Sequence, residues 1–259
     1  MKLISLNIWG GQKHKELLEF IKEINGETDI ICLQEVFKSE NNIFSRGSKM
    51  NIYSDLENIL NDYQIFFAPT FTNYDLLTKV DFDTAFGEVT YVKKSIKVVS
   101  EGTVFTYRNF DEKKLLYHDD FGEYWDLPRN FHYVIIRENG KEFLIANLHG
   151  FWKPGAKIDT KESLEQSNKI LEFIKSFNGS KIICGDFNLA PNTRSINKLE
   201  EELVNLITEY SIYNTRSKFY TRNEKFADYI FVSPDVKVKK FEVLDKHVSD
   251  HLPLFIDFE

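Results

Sequence analysis

Cysteine is scarce, and the two present, Cys32 and Cys184, cannot supply the disulfide framework of a small secreted scaffold. Each lies inside an apolar run, Ile30-Ile31-Cys32-Leu33 and Ile182-Ile183-Cys184-Gly185, where a free thiol is expected to act as a small hydrophobe. Neither has the spacing of a metal ligand. Long apolar stretches are also missing: every run falls well short of the roughly 20 residues a bilayer-crossing helix needs. Strand-like Leu3-Ile4-Ser5-Leu6 starts so close to Met1 that no signal peptide fits before it, so a cytoplasmic protein is expected. Low-complexity linkers and internal repeats are absent, which leaves one domain over residues 1–259. Excess positive charge is absent as well, and a net charge of -7 disfavours a general polyanion-binding surface. It does not exclude nucleic acid, because a cluster of metal-binding carboxylates lowers the net charge and the bound cation reverses the local sign.

What the chain does have is a hydrophobic content of 42%, enough for a large core in a single domain of this length. Apolar stripes at helical spacing predict four helices, near Lys13 to Asn25, Ile52 to Tyr63, Thr160 to Phe177 and Ser195 to Tyr210. Their apolar faces are read as core. Strands are expected near residues 2–8, 28–35, 64–68, 86–92, 96–106, 131–138, 142–149, 180–187, 227–232, 236–244 and 253–258. So many strands with so few helices favour two packed sheets with helices outside over one doubly wound sheet. The section from Thr72 to Asn130 is the least regular, rich in aromatics and in the acids Asp81, Asp83, Asp119, Asp120, Glu123 and Asp126. Long loops at a rim, able to shape substrate choice, are expected there.

Several strands deliver a polar group at their end. Asn7 follows the first strand and Glu35 follows Asp29-Ile30-Ile31-Cys32-Leu33, where buried sheet meets solvent and a carboxylate suits a hard cation such as Mg²⁺ or Mn²⁺. Read alone, a Glu after a strand is solvated and an Asn before glycines forms a turn. Asp186 and Asn188 flank Phe187, so in an extended segment both point one way. That spacing suits a carboxylate that orients or deprotonates water beside an amide that donates to a phosphate oxygen, or else ordinary loop chemistry. His149 ends one strand and His251 precedes the last, positions from which an imidazole can donate to phosphate or move a proton. His14, His118, His132 and His247 are read as structural. Asp228 heads an apolar strand, either as a turn residue or as the carboxylate that orients His251.

In this order, Asn7, Glu35, Gly185-Asp186-Phe187-Asn188, Asp228 and Ser249-Asp250-His251 resemble the endonuclease/exonuclease/phosphatase superfamily, and the resemblance covers nearly the whole chain. It implies a four-layer α-β-β-α sandwich of two mixed sheets, like that of deoxyribonuclease I, with a divalent-metal site for Mg²⁺ or Mn²⁺ at one rim. Carried over by position, it makes Glu35 the principal metal ligand with Asn7 beside it and Asp250 at or near the ion. Asp186 would orient or activate the attacking water and Asn188 would hold the phosphate. His251, paired with Asp228, would stabilise the transition state or assist the leaving group, and His149 would contact the phosphate. The acid that abasic-site endonucleases have two positions after the first Asn is Trp9 here, and Asn7-Ile8-Trp9-Gly10 is closer to the neutral sphingomyelinase branch.

A phosphate-ester substrate follows, with a phosphodiester as the leading expectation, nucleic acid as a candidate partner, and a phosphomonoester of an inositol or nucleotide, or a phospholipid, as the alternative. The chain is expected to act as a monomer. Basic strips for a nuclease could come from Lys93-Lys94, Arg129, Lys153 and Arg194, and base-stacking aromatics from Trp125, Phe151, Trp152 and Phe219. A non-catalytic binding module on the same scaffold would have shed a metal ligand or the Asp-His pair. This chain keeps all of them.

Overall fold

A computed structural model describes every residue except Asp120 and Ala156, so the Asp120 expectation lies outside the described residues. In chain order the strands and helices are β1 (Lys2–Asn7), α1 (His14–Ile24), β2 (Ile30–Lys38), β3 (Phe44–Ser45), β4 (Ser48–Lys49), α2 (Ile52–Ile59), β5 (Tyr63–Thr72), β6 (Ala85–Lys93), β7 (Lys97–Tyr107), β8 (Lys114–His118), β9 (Gly122–Asp126), β10 (Arg129–Glu138), β11 (Lys141–His149), α3 (Lys161–Lys175), β12 (Ser180–Asp186), α4 (Arg194–Glu200), β13 (Val204–Asn205), α5 (Leu206–Glu209), β14 (Asp228–Val232), β15 (Val238–Val243) and β16 (Leu254–Phe258). They build two six-stranded mixed sheets, ordered β15-β16-β1-β2-β6-β5 and β13-β14-β12-β11-β10-β7. β1 runs parallel to β2 in one and β11 parallel to β12 in the other, while the remaining pairs are antiparallel. This is the α/β sandwich expected from the sequence.

Alternation along the strands divides the core. Ile4, Leu6, Ile31 and Leu33 join Leu17, Phe20 and Ile21 of α1 and Leu56 of α2 outside the first sheet. Leu3, Ile30, Cys32 and Val92 face inward and meet the second sheet, whose other face packs on Ile170 and Ile174 of α3. Cys32 and Cys184 are free, buried and in contact with each other between the sheets. Toward one rim this inner layer turns polar. Gln34 donates to Asn147 at 2.6 Å, and Asn147 donates to the carbonyls of Leu33 and Val89 at 3.2 and 3.1 Å, so the two sheets are bolted together beside Glu35 of β2 and just beneath the end of β11.

The helix expected from Ser195 to Tyr210 is broken. α4 stops at Glu200, where three consecutive glutamates oppose the negative end of the helix dipole. Val204 and Asn205 then pair with β14, and the Asn205 side chain accepts from Ile207 N at 3.0 Å to start α5. The irregular 72–130 section contains a hairpin absent from the expectations, β8 with β9. Among the described residues, no helix is long and apolar enough to cross a membrane.

Candidate active site

Glu35 is presented by a bulge. β2 and β6 pair Leu33 with Val89 and then Val36 with Gly87, so β2 spends one residue more than its partner over that step. Glu35 takes φ +59° within it, a left-handed conformation a residue with a long side chain adopts only where the surroundings enforce it. Asn7, at the end of the neighbouring β1, donates to Glu35 Oε1 at 2.9 Å and to Asp186 Oδ2 at 3.0 Å, while its own oxygen accepts Trp9 N at 2.9 Å. Glu35 Oε2 is buried without a hydrogen-bond partner. Burial pushes the Glu35 pKa up to about 7, the Asn7 bond opposes this, and the negative charge of Asp250 adds to it. Glu35, His149 and Asp186 each offer a ligand atom within 4.8 Å of the others, and with Glu35 Oε2 unpartnered this is a donor set that a hard divalent cation fits.

Asp186 ends β12 beside His149, its register partner on β11. The two chains can approach there because Gly185 has no side chain: with φ +134°, a Cβ would lie 2.0 Å from the Leu148 carbonyl oxygen. Asp186 Oδ1 accepts Asn188 N at 2.9 Å, with Asn188 at φ +58°. Asn188 donates to the Gly150 carbonyl at 3.3 Å and accepts from the Lys157 ammonium. Burial alone would raise the Asp186 pKa, but the positive surroundings, His251 and Arg216 foremost, hold the carboxyl well below its usual range. Burial lowers Lys157 to about 8, against the pull of Asp186. His149 Nε2 lies 3.6 Å from Glu35 Oε1, and burial together with Arg129 lowers its pKa to about 3, so it is a neutral imidazole.

His251 donates from Nδ1 to both carboxylate oxygens of Asp228 at 2.8 Å, as the sequence led us to expect, and Thr215 Oγ1 donates to Asp228 at 3.1 Å. This fixes the tautomer and turns Nε2 toward Asp186, 3.6 Å away. Burial and the Arg216 guanidinium push the imidazole pKa down, but Asp228, Asp250 and Asp186 outweigh them and the net direction is up.

These groups line one cleft of about 840 Å³. Glu35, His149, Asp186, Asn188, Asp250 and His251 all reach it; Asn7 and Asp228 lie immediately behind, bonded to groups that do. Of the basic candidates only Arg129 lines the cleft, whereas Lys93 and Lys94 bond carbonyls of Gly26 and Asn61 elsewhere. Trp125, Trp152 and Phe219 form walls, and Phe151 is instead buried against Tyr107. Leu76 to Lys79, Leu115 and Glu123 to Trp125 show that the irregular section does shape the rim. Sequence reasoning missed Lys157, Arg216, Tyr220 and Arg222 in the lining. Arg216 reaches His251 through a bridge between loop 214–217 and the Ser249-Asp250-His251 turn, a long-range pairing with no local signature.

The sequence profile of the Endonuclease/Exonuclease/phosphatase family matches residues 4–251. No curated protein sequence matches this chain. Solved structures do: a family protein from Leptotrichia buccalis shares 19% identity with a TM-score of 0.72, covering 100% of this chain and 99% of the other. A mannosyl-6-phosphatase from Bacteroides thetaiotaomicron shares 20% identity with a TM-score of 0.70, covering 100% and 99%. The human Nocturnin catalytic domain with bound sulfate shares 19% with a TM-score of 0.70, covering 100% and 93%. With its profile matched over nearly the whole chain and the carboxylate, amide and imidazole groups gathered at one rim, the chain belongs to the endonuclease/exonuclease/phosphatase family, whose members hydrolyse phosphoester bonds.

Proposed function

We propose that this protein is a divalent-metal-dependent hydrolase that cleaves a P–O ester bond by in-line attack of water, on an ester compact enough to enter the cleft. The observation that carries the reading is the buried, unpartnered Glu35 Oε2 beside an Asp186 carboxylate held firmly deprotonated. Glu35 and Asp250 would hold Mg²⁺ or Mn²⁺, which supplies charge neutralisation at a phosphoryl oxygen when bound. Asp186, with its depressed pKa, is a weak base and acts by aligning water with the phosphorus. Asn7 keeps Asp186 and Glu35 at a fixed spacing by donating to both. Neutral His149 donates toward a phosphoryl oxygen, and the His251–Asp228 pair offers an oriented imidazole on the same side of the cleft as Asp186. Asn188 steadies Asp186 through its backbone and fixes Lys157 through its amide oxygen.

The Bacteroides thetaiotaomicron protein of similar fold is a mannosyl-6-phosphatase, and the cleft here is concave and walled by Trp9, Trp125, Trp152 and Phe219. A duplex needs an open basic surface, and the net charge of -7 does not supply one. The phosphodiester expectation and nucleic acid remain the second reading, favoured by the aromatic walls, which could stack on bases at a strand end. The test is Mg²⁺- and Mn²⁺-dependent turnover of a sugar phosphate, a simple aryl diester, sphingomyelin and single- and double-stranded DNA by wild type and Asp186→Asn. Hydrolysis of a compact ester that falls on the order of 10²-fold or more in a folded mutant is expected. Absence of metal-dependent hydrolysis throughout would overturn the reading.

A further inference from the structure

Three cations, Arg129, Lys157 and Arg216, are each only 6% exposed, and all reach the cleft. Their surroundings differ. Arg129 is tied to the backbone: Nε donates to the Gly150 carbonyl at 2.9 Å and Nη1 to the Pro128 carbonyl at 3.3 Å. Lys157 donates to the Asn188 amide oxygen and, among the described residues, has no carboxylate within ion-pair distance. Arg216 donates from Nη1 to His251 Nε2, stacks over Tyr220 at 4.1 Å and lies 3.6 Å from Asp250, while its Nε–H is buried with no partner. A buried cation with unfilled donors costs free energy that an arriving anion recovers. Arg216 holds such a donor in its Nε–H, and Lys157 and Arg216 bond Asn188 and His251, which both line the cleft with Asp186.

Resting on the hydrolase reading above, we propose that Arg216 and Lys157 form an anion clamp for the non-bridging oxygens of a terminal phosphate, so that the substrate class is a dianionic phosphomonoester. A monoester offers three such oxygens and two charges. A diester offers two oxygens and one charge, and its second organic arm competes for the space the clamp encloses. Arg216 is thereby a group that touches substrate, and His251, whose Nε2 accepts from it, aims the guanidinium as well as standing near Asp186. The bidentate fork of arginine suits two oxygens at once, and the lysine takes the third as a point charge.

The test separates binding from turnover. Methyl phosphate and dimethyl phosphate are titrated calorimetrically near neutral pH, where the monoester is largely a dianion and the Lys157 ammonium is still mostly charged, into wild type, Arg216→Gln, Arg216→Lys and Lys157→Gln, with magnesium present and with it chelated. The expected result is that methyl phosphate binds wild type at least about tenfold tighter than dimethyl phosphate, that this gap closes in both glutamine variants, and that Arg216→Lys restores part of it. Near-equal binding of the two esters by wild type would overturn the clamp, as would a preference that survives both glutamine substitutions in proteins that retain the wild-type unfolding transition. Failure of the hydrolase reading looks different: no metal-dependent turnover of either ester, with the binding preference intact.

Discussion

At the scale of single residues, the site is marked by backbone conformations that a chain avoids without cause. Trp9, Glu35 and Asn188 all have φ between +53° and +59°. For Trp9 and Glu35 this costs on the order of 1–3 kcal/mol each, tolerated because Trp9 N bonds Asn7 Oδ1 and the Glu35 bulge is locked between its neighbours. Glu88 also has unusual surroundings: it is fully buried in β6, and burial raises its pKa well above 4.5 although its own backbone N–H and Arg129 pull the other way. An acid whose pKa is higher folded than unfolded destabilises the folded state progressively as pH rises from the unfolded value through the folded one. Glu88→Gln removes that loss while keeping the shape. We expect urea unfolding to show the variant about equal to wild type near pH 4 and more stable by roughly 1–3 kcal/mol at neutral pH or above. A variant less stable than wild type at pH 8 would show that the carboxylate is charged and compensated.

Elements, rather than residues, set the spacing of the site. β11 and β12 run parallel so that His149 and Asp186 lie side by side, and Gly185 is the position that lets them do so. Gly185→Ala places a methyl group 2.0 Å from the Leu148 oxygen at φ +134° and should cost about 2 kcal/mol or more in a chemical denaturation experiment, with a further loss of activity as Asp186 is displaced. Unchanged stability would mean that β11 can yield. Much of this level was legible in the sequence, because strands of this fold read as near-continuous apolar runs with chemistry at their ends: Asn7, His149 and Asp186 close β1, β11 and β12, whereas Glu35, expected to follow a strand, lies inside β2 at a bulge and the strand runs on to Lys38. What was not legible depends on contacts between distant segments. Arg216 belongs to a loop whose position is set by Ser217 N and Leu252 N bonding to the Asp250 and Thr215 carbonyls at 3.0 and 2.9 Å. Lys157 is buried where its ammonium bonds Asn188 and its carbonyl accepts Ala190 N, contacts across more than 30 residues, and the sequence offered Lys153 with equal force. The single long helix expected from Ser195 failed for a similar reason: Val204 and Asn205 were claimed by an edge of the sheet, which the 3.6-residue pattern of Leu199, Leu203 and Leu206 conceals.

Across the whole molecule, the active rim is a place where folding and chemistry oppose one another. Glu35, Asp186 and Asp250 are gathered at the mouth of a sandwich whose sheets are bolted by Gln34 and Asn147 directly below, so the repulsion among them is carried by the fold rather than relieved by local movement. A divalent cation that binds the folded state and not the unfolded chain should therefore register as global stability. For a single site the gain is RT ln(1 + [M]/Kd), about 2.7 kcal/mol when the free ion is a hundredfold above its Kd. Urea unfolding of wild type with rising Mg²⁺ or Mn²⁺ should follow that logarithm, and chelation should reverse it. Glu35→Gln should behave oppositely in both respects: loss of one of the three carboxylate charges makes the metal-free protein no less stable than wild type, and the stabilisation by added cation largely disappears. Calcium-free monovalent salt at matched ionic strength serves as the control for screening, since surface charges respond to it and a buried oxygen site does not. Wild type that gains nothing from either divalent ion, or a Glu35→Gln variant that gains as much as wild type, would remove Glu35 from the metal site.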